Sequence, residues 1–76
     1  MSLPNLGSIR LSPRQRQILE AVGDGKSASE ISMLLGISVA MVEKHLRLAR
    51  AALGVDTTAQ ALLKATFLNQ VYVKTI

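Results

Sequence analysis

The 76 residues are enough for one small domain, near the lower end of what a single apolar core stabilises without a staple or a partner. No cysteine is present, which excludes disulfides and thiolate zinc sites; no apolar run is long enough to span a bilayer and no signal-peptide layout opens the chain, so a cytoplasmic protein without a membrane partner is expected. Nine Lys and Arg against five Asp and Glu give a net charge of +4 and a sequence pI near 10.2, which favours a polyanionic partner, while one Tyr and one Phe make no base-stacking platform and a lone His45 with scattered carboxylates makes no catalytic, metal or cofactor site.

Residues 1–8, "MSLPNLGS", are uncharged and hold Pro4 and Gly7, the composition of a linker or cloning remnant, which leaves residues 9–76 for the domain. In "LSPRQRQILEAVGDG" Ser12 is a helix cap, Pro13 suits the first helical position and Gln15 completes a Ser-x-x-Gln capping box. Ile18, Leu19 and Val22 form the buried side of this first helix, and Gly23 ends it before a turn at Asp24 and Gly25. Ser27 and Glu30 make a second box that opens helix two, whose apolar positions Ala28, Ile31, Leu34 and Leu35 recur at helical spacing until Gly36.

Ser38 caps a third helix over residues 39–53. Val39, Val42, Leu46, Ala49 and Leu53 gather into one buried stripe, and Ala40, Lys44, Arg47, Leu48 and Ala51 stand opposite, a face of small residues and two cations. Glu43 and Arg50 lie at one edge of that face. His45 lies at the other, beside the stripe, where a hydrogen-bonded structural imidazole is expected rather than a ligand or a pH sensor. After "GVD", Thr57 caps helix four with Gln60 three residues on. This helix has two apolar sides: Ala61, Leu62, Ala65 and Leu68 on one, Ala59, Leu63 and Phe67 on the other. The first packs on the domain. The second needs a cover, either a second copy of helix four or the C-terminal "VYVKTI" folded back. No stretch alternates like a strand, so the fold class is all-α.

Two helices joined by a tight glycine turn, the second with cations on its outward face, form a helix-turn-helix. Such a helix fits the major groove of double-stranded DNA; Ala40 and Ala51 allow close approach, and Lys44 and Arg47 reach guanine acceptors. Lys26, just before helix two, sits where a helix N-terminus favours a phosphate, and Ser38 and Arg50 flank the reading face as further backbone candidates.

The stretches "LSPRQRQIL", "GKSASEIS", "LGISVAMVEKHL" and "LGVDTTAQAL" resemble, in order and spacing, the LuxR-type (LuxR/FixJ) DNA-binding domain over roughly residues 10–71. The resemblance implies a four-helix domain of a bacterial transcription regulator, usually its C-terminal part. Helix three then reads DNA, helix four pairs subunits into a homodimer, and a small-molecule or phosphoryl signal arrives only through a separate N-terminal domain. Carried over by position, it places base contacts at Glu43, Lys44 and Arg47 and backbone contacts around Ser27, Ser29, Met41 and Thr58; the second apolar side of helix four, Ala59, Leu63 and Phe67, is where the periodicity above puts the dimer contact. Members often have Lys, Thr and Arg where this chain has Ser29, Met41 and Thr58, so phosphate donors are fewer and lower affinity is implied. Glu43 either accepts from cytosine N4 or pairs with Arg47 one turn on.

Two alternatives share the helix-turn-helix. The fourth region of a bacterial sigma factor also resembles "LSPRQRQIL" and "EISMLLGISVAMVEKHL" and adds RNA polymerase as partner, but leaves residues 54–70 unexplained. A LuxR-like interaction module that has lost DNA binding would account for the missing phosphate donors.

Overall fold

The computed structural model describes residues 11–68 and 71, and among them the chain forms four helices and no strand. They are α1 (Pro13–Gly23), α2 (Ala28–Leu35), α3 (Val39–Leu53) and α4 (Thr58–Phe67). The proposed linker, residues 1–8, lies outside the described residues.

Local chemistry sets each start. Ser12 and Gln15 exchange the two bonds of a capping box, with Gln15 N–H donating to Ser12 Oγ at 3.1 Å and Ser12 N–H to Gln15 Oε1 at 3.0 Å. The same box recurs at Ser27 with Glu30 and at Thr57 with Gln60. Ser38 Oγ accepts from Met41 N–H at 3.1 Å to open α3. Each of these bonds satisfies a backbone donor that the helix itself leaves unpaired.

The stops are as local. Gly36 and Gly54 close α2 and α3 in the left-handed region, at φ 67° and 68°, a conformation that costs most other residues a steric penalty. At the end of α3 a second device adds to the glycine: Lys64 of α4 donates its Nζ to the Leu53 carbonyl at 2.7 Å, placing a cation at the negative end of the helix.

Packing centres on α3, which touches all three other helices. Ile18, Ile31 and Val42 form one buried cluster where α1, α2 and α3 meet. Leu19, Ala49, Leu53, Ala61 and Ala65 form another with Leu11 and Val71 at the α1, α3 and α4 junction, and Leu46 packs on both. Alanines on the inner side of α4 let it approach α3 closely.

Three packing expectations need correction. Leu34 is exposed rather than buried, because Ala28, Ile31 and Leu35 already form the inner side of the short α2 and Leu34 falls off its edge. Val39 is also exposed; it occupies the first turn of α3, and Ile37 from the preceding turn packs on the α1–α2–α3 cluster instead. His45 is half-buried, but its Nδ1 is shielded from water without a hydrogen-bond partner, so the expected hydrogen bond is missing at that nitrogen.

On α4 the two apolar sides separate as the periodicity requires. Ala61 and Ala65 are buried, while Leu63 is 74% and Phe67 79% exposed, with Ala59 exposed beside them. Of the C-terminal "VYVKTI" only Val71 is among the described residues; it is buried in the core.

Candidate nucleic-acid interface

The turn from Gly36 to Ser38 holds α2 against α3 and leaves the outward face of α3 bare: Ala40, Glu43, Lys44, Arg47, Leu48 and Ala51 are all exposed. Lys44 and Arg47 straddle the centre of this face one turn apart, with the small side chains of Ala40 a turn before Lys44 and Ala51 a turn after Arg47. Among the described residues no group of three or more His, Cys, Asp or Glu comes together to hold a metal ion, and no helix is long and apolar enough to cross a membrane.

To one side of the face lies a cleft of about 350 Å³ lined by Ala28, Glu43, Leu46, Arg47, Arg50 and Thr58. Three elements meet there: the first turns of α2 and α4, and the middle of α3. Arg50 donates its Nη1 to Thr58 Oγ1 at 3.0 Å, which fixes the guanidinium at the mouth of α4 and leaves its other N–H groups available. The cleft therefore unites four of the residues named from sequence, Glu43, Arg47, Arg50 and Thr58.

Glu43 and Arg47 line the same cleft, yet no hydrogen bond or ion pair joins them among the described residues. The clamp considered above is not formed, and the Glu43 carboxylate stands open beside two arginines.

The start of α2 is arranged differently. Lys26 lines a separate shallow hollow of about 230 Å³ with Glu30, Met33 and Leu34, apart from the α3 cleft. The Ser27 backbone N–H donates to Glu30 Oε1 at 2.9 Å, and that bond, with a further one from the Ser27 side chain and the nearby charge of Lys26, holds the Glu30 carboxyl below its ordinary range. A fixed carboxylate thus occupies the helix N-terminus that would otherwise attract an anion. Ser27 and Ser38 each use their hydroxyl oxygen as a cap acceptor, and since Ser27 also gives its O–H to Glu30, only the Ser38 O–H hydrogen remains for a partner. Ser29 is exposed. Met41 is exposed as well, with no side-chain donor to offer a phosphate.

Two contacts were not readable in advance, the Arg50–Thr58 bond and the Lys64 cap on Leu53. Both join α4 to α3 across the turn at Gly54. Periodicity reports which side a residue takes and not what it meets there.

Residues 9–53, helices α1 to α3, match the family model described as Sigma-70, region 4. The transcriptional regulatory protein MctR of Rhizobium johnstonii is 43% identical over 53 residues, covering 70% of this chain and 25% of that protein. The transcriptional activator protein CarR of Pectobacterium carotovorum subsp. carotovorum is 37% identical over 59 residues, 78% of this chain and 24% of that protein. The chain thus spans about a quarter of the length of these curated relatives. The solved structure of the transcription factor GerE superposes with a TM-score of 0.81 at 30% identity, covering 84% of this chain and 96% of the GerE chain. The sigma-type match stops at Leu53, whereas the likeness to GerE takes in a larger share of the chain and nearly all of the GerE fold. With a capped fourth helix following the helix-turn-helix that the sigma model recognises, the chain belongs to the LuxR-type helix-turn-helix domains, the DNA-binding domains of transcription regulators.

Proposed function

We propose that this domain binds double-stranded DNA sequence-specifically, with α3 in the major groove, Lys44 and Arg47 on base edges, and two copies paired through α4. The observation that carries the reading is the bare outward face of α3, where two exposed cations one turn apart are flanked by the small side chains of Ala40 and Ala51. Nothing on that face obstructs approach to the groove floor. Arg50, tethered to Thr58, supplies a phosphate contact at the groove wall, and Glu43 accepts from a cytosine amino group.

Pairing through α4 is supported by the exposed Ala59, Leu63 and Phe67. A two-fold arrangement would bury them and present two α3 helices to one inverted repeat.

The test is selection from a randomised duplex pool, followed by titration of the recovered site. Arg47→Ala is expected to lower affinity by about 1–3 kcal/mol and to relax preference at one base pair. Equal affinity and preference in wild type and variant would remove α3 as the reading element. If no duplex binds even at low salt, DNA binding itself fails and the domain is an interaction module.

A further inference from the structure

The outward face of α3 is chemically lopsided. On one side of its centre stand Arg47, Glu43 and Arg50, and on the other, beyond Lys44, stand Leu48 and Met41. Leu48 is 45% exposed and Met41 40%. Both lie on the surface that carries Lys44 and not on the buried stripe of Val42, Ala49 and Leu53.

Neither side chain can serve a phosphate wall. Leu48 has no polar atom, and Met41 has only a weakly accepting thioether. Placed against anionic oxygens, both would lose water and receive nothing in return. A groove floor differs from a wall in one respect, because one base presents an apolar group there, the C5 methyl of thymine. We infer that Leu48, with Met41 two helical turns away on the same side of α3, reads thymine methyl groups, so that the recognised site carries a required A·T pair on the Lys44 side of the base pairs contacted by Arg47. This rests on α3 lying in the major groove as proposed above. It goes beyond that reading by assigning specificity to two apolar residues and by naming the chemical group they recognise.

The division of the face gives the site a polarity. Arg47 and Glu43 read hydrogen-bonding edges on one flank, and Leu48 and Met41 read methyl groups on the other. Lys44, between them, reaches either way.

The decisive experiment uses the chain itself and the best duplex recovered from a randomised pool. Each thymine of that duplex is replaced in turn by deoxyuridine, which keeps every base pair and hydrogen-bonding group and removes only the methyl. One or two positions are expected to lose about fourfold in affinity with the wild type, the worth of burying one methyl group. The loss should vanish in Leu48→Ala or Met41→Ala, whose exposed positions leave the core untouched. Insensitivity of every thymine, a loss of equal size in both variants, or a recovered site with no required A·T pair overturns the assignment. If Arg47→Ala still weakens that duplex while deoxyuridine has no effect, the groove reading stands and only the methyl reading falls. If the pool yields no duplex at all, both fall.

Discussion

At the scale of single residues, Arg50 and Thr58 separate charge from position. The guanidinium carries the charge proposed to meet a phosphate, and the hydroxyl decides where that charge sits. The two substitutions should therefore differ in kind. Arg50→Ala removes a cation, and the slope of log affinity against log salt is expected to become shallower by about 1. Thr58→Val keeps the cation and loses the tether, so affinity should fall at every salt concentration with the slope unchanged. Titrations across a series of salt concentrations make the comparison. Equal slopes for wild type and Arg50→Ala would take Arg50 off the DNA backbone.

At the scale of elements, α2 holds a titratable cap. Glu30 is kept below its ordinary range by its bonds from Ser27, so its contribution to stability is fully present above the unfolded carboxylate value and is lost as the pH falls through the lower folded value. Gln at this position keeps the capping geometry, as Gln15 and Gln60 do in their own boxes, but does not titrate. The wild type is thus expected to melt above Glu30→Gln near neutrality and to converge with it in acid. Thermal melts at several pH values test this, and a constant gap between the two would refute it. Caps of this kind are also why the elements were legible from sequence. Ser12, Ser27, Ser38 and Thr57 announce their helices within four residues, and Gly36 and Gly54 end theirs through backbone conformation alone. Leu34 and Val39 are exposed where periodicity predicts burial, because burial depends on what lies across from a residue. The Arg50–Thr58 and Lys64–Leu53 contacts were unseen for the same reason, being properties of how α4 turns back on α3.

At the scale of the whole molecule, the question is what covers α4. Leu63 and Phe67, one turn apart, leave an apolar strip on a small domain within a chain of 76 residues. Such a strip is unusual on a small monomer that meets nothing. Paired with its copy, α4 would set two α3 helices about one turn of DNA apart, roughly 34–36 Å. Sedimentation of the wild type with an inverted-repeat duplex is expected to give two copies per duplex with cooperative loading. Leu63→Glu with Phe67→Glu should abolish the cooperativity while preserving binding to a half-site. A double variant that still loads cooperatively would move the subunit contact elsewhere.

The ammonium of Lys64 on the Leu53 carbonyl ties the last turn of α3, proposed to read DNA, to α4, proposed to pair subunits. Fraying at the end of α3 and detachment of α4 are then one event, a shared local opening rather than two independent ones. Amide hydrogen exchange should report it: the last turn of α3 and the body of α4 are expected to exchange with one protection factor in the wild type. Lys64→Met, which keeps most of the side-chain bulk and removes the cation, should let the end of α3 exchange faster than α4. On this view, binding energy gained where two copies meet also slows the unravelling of α3, the helix proposed to enter the groove, with no change in the shape of either.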